Sequence, residues 1–479
     1  MTEPGRLTMA EAAEDNALVS VPPEQRRNGH QLAISTVGVA TALVIFAIAG
    51  YAVILAGFTW GLIAGIAVGV MGFILSWLLG RIAWNTGVSS TVTSRFFGLG
   101  LKGSSIGAAI FAFMILGFLA LESALLYEGT LLMFGLEDTW VTKIVIYGIL
   151  TLLWIALAIF GLQLILRASL ILVIVTIAVT LYMLYEIFIQ RGASLVEVMT
   201  MPGVVPGGAW PKFEAAFALM GATGGTIALV TTDFARYART RRDVTILSMA
   251  GPITQNILML VLGSLVVVGG MPAVIDYLMA RNTGMTPAQA AEAAGGFAMG
   301  NTGAFFVVLA GWVGFITIYA TQAKAQGVNA YAGSLALVNL VDSLFGKKPG
   351  RAFMVVLGNI IALLMIAAGI LGQFSAWLGY LGCITLSLVG VIIADYYLVR
   401  KQHYDSTTHR VEQWNWAGVI ALHIGAITGI ILIATGIMPL GFMVSLVLTI
   451  VLYPPLRKML PEGTGTNFVS EEEALDEAV

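Results

Sequence analysis

Twelve apolar stretches follow one another along the chain, each near the roughly 20 residues that a helix needs to cross a hydrocarbon core of about 30 Å. They fall at 32–57, 60–84, 104–134, 140–163, 168–190, 212–235, 245–270, 302–340, 352–371, 374–399, 414–434 and 437–456. No gap between them is long enough for a folded extramembrane domain. Backbone at membrane depth has to satisfy its own hydrogen bonds, so this pattern predicts an all-α polytopic membrane protein of twelve transmembrane helices, numbered here as spans 1 to 12. Composition agrees, with 58% of the 479 residues hydrophobic and 10% charged. Residues 1–30 mix both charge signs without an apolar h-region and are expected to form an N-terminal tail rather than a signal peptide. Residues 31–456 are expected to form the helical domain and 457–479 an acidic C-terminal tail, whose end "SEEEALDEAV" is expected to be disordered and solvated. Cys383 is the single cysteine, which excludes a disulfide framework and a Cys-rich metal site.

Orientation follows from the basic residues, since short cytoplasmic loops are enriched in Lys and Arg. With both termini cytoplasmic, the inner segments collect Arg6, Arg26 and Arg27; Arg81, Arg95 and Lys102; Arg167; Arg236, Arg239, Arg241 and Arg242; Lys347, Lys348 and Arg351; Arg400, Lys401 and Arg410; and Arg457 with Lys458. The outer loops hold Lys143, Arg191, Lys212 and Arg281. One basic residue is left, Lys324. Were it in a loop, span 8 would become two helices and three basic clusters would face outward. The parity of the spans therefore places Lys324 inside the membrane; the competing reading is a lysine snorkelling from a helix end.

Span 8 is polar on two sides. At about 100° per residue, Gln322, Gln326 and Asn329 share one face, while Thr317, Lys324 and Tyr331 share nearly the opposite one. Such a helix can turn neither side to lipid, and an ionisable group at that depth marks a pathway or a wet cavity. Span 3 has a matching oddity, Glu122 near its middle. Phe118 lies four residues earlier on the same face, so a ring surface and a carboxylate stand together, as a site for a planar polar ligand requires. A structural carboxylate satisfied by a neighbouring helix is the alternative for Glu122. In span 6, "LMGATGGTIALVTTDFARYART", the stretch from Thr223 through Gly224 and Gly225 to Thr226 permits either unwinding around a ligand or close packing by small residues. Span 1 has a similar small-residue stretch around Ala47, Ala49 and Gly50. Interrupted segments in corresponding halves point to an inverted repeat. Residues 31–190 and 212–400 would be the two repeats, spans 3 and 8 would be symmetry mates, and 414–456 would add spans 11 and 12.

Four further stretches carry a family resemblance: "NTGVSSTVTSRFFGLGLKGS" after span 2, "TTDFARYART" ending span 6, "GVNAYAGSLALVNL" in span 8, and "VIIADYYLVRKQHY" followed by "NWAG" before span 11. In that order, over roughly residues 30–455, the chain resembles the purine–cytosine permease family of nucleobase–cation symporters. The resemblance implies a five-plus-five inverted repeat of the leucine-transporter type with two additional C-terminal helices, and alternating access around a midplane site. It also implies that Phe118 and Glu122 hold the base, where relatives carry an aromatic residue and a glutamine. Thr223, Gly224, Gly225 and Thr226 correspond to the opposite wall, with Gln322, Gln326 and Asn329 as span 8 contributors. Lys324 and Ala325 match the small hydroxyl pair that helps to ligate sodium in sodium-coupled relatives. An ammonium beside an unwound span 1 near Ala47 and Gly50 would take the place of the ion, with Glu122 as counter-charge.

The expectation is a secondary active transporter of the bacterial inner membrane importing a nucleobase or related small nitrogenous heterocycle, proton-coupled rather than sodium-coupled. A transporter of a small amine held by Glu122 and a ligand-sensing membrane module are the alternatives. The expected partners are a small-molecule substrate and the lipid bilayer, with no nucleic acid, no cofactor and a monomeric chain. No HExxH or phosphate-binding loop is present, and His30, His403, His409 and His423 form no catalytic pattern, so an enzyme is not expected.

Overall fold

The computed structural model describes residues 20–282, 284–347, 349–405, 409–470 and 474–475. Arg6 and most of the N-terminal tail, Lys348, and part of the acidic tail lie outside these described residues, as does the side chain of Arg167. Among the described residues, ten helices are long and apolar enough to cross a bilayer alone. The bent pair Gly29–Ala40 and Leu43–Ala56 supplies span 1, and Arg351–Ala367, at 17 residues, is the short span 9. The others are Phe58–Thr86, Ser104–Phe134, Trp140–Phe160, Ala168–Gln190, Ala209–Ala235, Arg241–Arg281, Gly303–Phe345, Phe374–Val399, Trp416–Ala434 and Gly441–Met459. The order of the twelve is the expected one.

Span 2 packs along span 6, span 7 along span 1, and span 3 along span 8. Exchanging spans 1–5 for 6–10 turns the first of these contacts into the second and leaves the third unchanged. Five crossings is an odd number, so the second repeat enters the bilayer from the side opposite the first; the repeat is inverted by count alone. Spans 11 and 12 pack on each other and against span 10.

Four features decide or correct the expectation. Span 6 is continuous from Ala209 to Ala235. Its glycines serve packing: a Cβ at Gly224 would stand 2.5 Å from Met71 Cε of span 2, and one at Gly225 3.0 Å from Leu386 Cδ2 of span 10. Ala47 and Gly50 also lie in regular helix, and Gly50 makes room for Val267 of span 7. Span 8 is interrupted near its start by Gly311, at φ 53° and ψ −133°, a conformation that a side chain would strain. Residues 303–310 therefore form a separate short helix, and the membrane crossing begins after it.

The described parts of the terminal segments supply the fourth, because both dock on the bundle. Val21 is buried and its N–H bonds Gly87 O at 2.9 Å. At the other end, strand β1 (Arg410–Glu412) pairs antiparallel with β2 (Phe468–Ser470). Arg457 pairs with Glu412 at 2.5 Å, and the carbonyl of buried Ala474 accepts from Arg95 at 3.0 Å. Arg95 also pairs with Asp342 of span 8 at 2.9 Å.

Candidate functional site

Span 1 turns by 63° between Ala40 and Leu43. Neither proline nor glycine occupies the turn, and the break is held from outside by two side chains of span 8. Gln322 Oε1 accepts the Leu43 N–H at 3.2 Å, replacing the carbonyl that a continuous helix would have offered. Lys324 Nζ donates to Thr41 Oγ1 at 2.8 Å, and Thr41 in turn donates to Gly38 O at 3.1 Å. Gly38 makes room for Ser169, whose Oγ would stand 2.8 Å from a Cβ there. The ammonium thus sits at the C-terminal end of Gly29–Ala40, where the helix dipole favours a cation. Lys324 is 3% exposed and mid-helix, which rules out a snorkelling lysine.

The break lies several residues before Ala47 and Gly50, so these two stand away from the ammonium, on the packed flank of Leu43–Ala56. Between Val37 and Gly50 the sequence offers Thr41 as its only polar side chain.

Glu122 is 2% exposed on span 3, within electrostatic reach of Lys324 and against the Gln322 amide. Neither Glu122 Oε2 nor Gln322 Nε2 has a hydrogen-bond partner among the described residues. Phe118, one turn before Glu122, is fixed edge-to-face by Trp377 of span 10 at 5.2 Å between centroids. Phe118 and Glu122 line one cavity of about 50 Å³ beside the break, together with Thr223, Thr226, Ala325 and Asn329. The wall facing Phe118 carries no second ring: span 6 presents Thr223, Thr226, Ile227 and Val230 there.

Other expected residues lie elsewhere. Gly224 and Gly225 face spans 2 and 10, for the packing reason given above. Gln326 points into span 3, donating to Leu119 O at 2.9 Å and Ser123 Oγ at 2.8 Å, and it accepts from Asn329 at 3.2 Å. It orients Asn329 without reaching the cavity. Gln322 acts on the helix break. Two unforeseen residues come from span 7: Gln255 lines the cavity, and Asn256 accepts from Thr223 at 3.2 Å. "TQN" after Pro252, inside an apolar run, was their visible signal.

A larger cavity, about 290 Å³, extends from Lys324 to the side that carries the basic loops, past Ser169, Ser35 and Gln31. Val39 and Ala325 belong to both cavities. Toward the opposite side the site is shut. Phe306, delivered by the short helix before Gly311, stacks edge-to-face on Phe46 at 5.3 Å, beside a Thr176–Thr321 hydroxyl pair 2.6 Å apart.

This architecture has counterparts among known proteins. The fold resembles that of Mhp1 in an inward-facing conformation, with TM-score 0.69 and 17% identity over 94% of this chain and 96% of that one. It also resembles Mhp1, described as a nucleobase-cation-symport-1 family transporter, in a closed conformation with bromovinylhydantoin bound, with TM-score 0.65 and 19% identity over 96% and 99% of the two chains. In sequence, the chain is 24% identical over 218 residues to the cytosine permease of Escherichia coli K12, a match covering 45% of this chain and 44% of the permease. The chain therefore spans under half the length of the curated relatives it matches. From residue 20 to residue 449, nearly the whole helical domain, the sequence fits a single family profile, and the chain belongs to the family of permeases for cytosine/purines, uracil, thiamine and allantoin.

Proposed function

We propose that the protein is a secondary active transporter that imports a nucleobase or related small nitrogenous heterocycle across the bacterial inner membrane by alternating access, as a monomer and coupled to protons rather than sodium. The observation that carries this reading is the shared wall of Phe118 and Glu122 at the break of span 1: an aromatic surface for a planar ring and an acceptor for its N–H edge. The names of the relatives support the substrate class, cytosine in one case and a hydantoin in the other. With the basic loops in the cytoplasm, the cavity beyond Lys324 opens inward and Phe306 closes the outside, which is the inward-facing arrangement of such a cycle.

Coupling rests on Lys324. Its ammonium takes the position beside the broken helix where unwound backbone in this architecture coordinates a cation, and Thr41 is its partner. A small organic cation is the second substrate reading, favoured by the unpartnered Glu122 oxygen.

Uptake by proteoliposomes in sodium-free buffer, with an imposed inward proton gradient and radiolabelled cytosine, uracil and hydantoin as probes, tests the reading. Accumulation above protein-free liposomes is expected for at least one probe; binding without flux would make the protein a sensor. In a binding measurement with the same probes on the purified protein, Phe118→Ala should weaken a planar ligand by about 0.5–1.5 kcal/mol beyond simple area loss. An unchanged dissociation constant would show that the substrate is not stacked there.

A further inference from the structure

Span 7 changes its hydrogen-bond ladder where it passes the cavity. Pro252 lies inside the helix and contributes no N–H, and the following turn, Thr254–Leu258, is wound as a π-helix. Such a turn shifts the side-chain register locally, and π-bulges cluster at functional sites. Here the shift brings Gln255 and Asn256, 6% and 3% exposed, to the inner face of the span.

The two have different employment. Asn256 ties spans 6 and 7, accepting from Thr223 Oγ1 and donating to Pro252 O at 3.4 Å. Gln255 makes no such tie: its Nε2 is buried and has no hydrogen-bond partner among the described residues, while its side chain lines the cavity of Phe118 and Glu122. A buried amide without a partner is destabilising, so a free N–H donor beside a ligand cavity points to a ligand acceptor. The other span 6 and span 8 donors at this wall are engaged: the one Thr223 hydroxyl hydrogen is shared between Asn256 Oδ1 and Met220 O, Thr226 donates to Thr223 O, and Asn329 donates to Gln326.

We propose that Gln255 contacts the substrate and reads a carbonyl on it, while Glu122 takes an N–H edge, so that the site selects lactam and ureide heterocycles carrying both groups. This deepens the proposed function and rests on it. Gln255 belongs to span 7, packed on span 1, and Glu122 to span 3, packed on span 8. A ring held by both would bridge the two packed groups, so recognition and closure would depend on the same two contacts.

The test compares oxygen with sulfur in rings of nearly equal shape, since a thiocarbonyl is a weaker acceptor. Dissociation constants of the purified full-length protein are measured for cytosine with 2-thiocytosine, and for uracil with 2-thiouracil and 4-thiouracil. The wild type should prefer at least one oxygen parent over a thio analogue by about three- to tenfold. In Gln255→Leu that preference should vanish through loss of the parent's affinity alone, with the thio analogue unchanged. Gln255→Met, which keeps the length and withdraws the donor, should do the same, and it serves if the leucine variant does not fold. Equal weakening of parent and analogue would reduce Gln255 to packing, and unchanged preference would remove it from the site. Either result overturns the inference and leaves the transporter reading intact. Should the wild type bind none of the five rings, the heterocycle reading itself fails, and this inference with it.

Discussion

Glu122→Ala is expected to weaken binding of a heterocyclic substrate by roughly 1–3 kcal/mol, about five- to 150-fold, because a ligand N–H is left buried without an acceptor. Glu122 also faces the Lys324 ammonium and the Gln322 amide that hold the break of span 1, so thermal melting of the variant separates a loss of binding from a loss of fold. Glu122→Gln should keep the fold and change the substrate spectrum or its pH dependence, because it keeps one acceptor and replaces the other with a donor. Titration calorimetry across the ring series separates the two variants. Wild-type affinity in both would take Glu122 out of the site.

The larger effect on transport is expected at Lys324. The wild type should transport equally well without sodium, driven by an imposed pH gradient. Lys324→Thr and Lys324→Ser should abolish the proton dependence, because the titratable group beside Thr41 is gone while a small hydroxyl remains at the break. Lys324→Gln keeps a donor for Thr41 and loses the proton site, so retained transport with an unchanged pH profile would show that Lys324 only holds the break. Strict sodium dependence of the wild type would sink the coupling proposal and leave the family and the fold untouched.

Spans 3 and 8 were legible because their polar residues contradict an apolar background, and a contradiction of that size has few physical excuses. The break in span 1 was not. The chain between Ala40 and Leu43 has no proline or glycine, and the interaction that holds it open comes from Gln322 and Lys324, nearly three hundred residues away. Span 6 shows the converse. Gly224 and Gly225 are compatible with unwinding or with close packing, and only the neighbours, Met71 on one side and Leu386 on the other, decide for packing. Gln255 was readable in principle, from polar residues after Pro252, but the direction in which a π-turn points them is set by hydrogen-bond register, which composition does not reveal. The docking of residues 468–470 and of Ala474 was not legible either: a three-residue strand pairing and the Arg95–Ala474 contact are too short and too distant to leave a sequence pattern.

The bond between Lys324 and Thr41 also has a thermodynamic consequence. A dissolved ion that binds beside a broken helix is taken from one compartment and released to another, and its descent supplies work. A cation fixed to a side chain is exchanged with neither solution, so it can hold the helix halves together but cannot by itself drive accumulation. In the proposed proton-coupled cycle, only the proton that Lys324 or Glu122 gains and loses would be free to travel. One proton per cycle supplies about 1.4 kcal/mol for each pH unit across the membrane, a tenfold concentration ratio at most in the absence of a membrane potential. The steady-state ratio plotted against the imposed pH difference therefore counts the protons: a slope near one decade per unit means one per substrate, and a flat line means that the lysine holds the helix open and the protein only equilibrates its substrate.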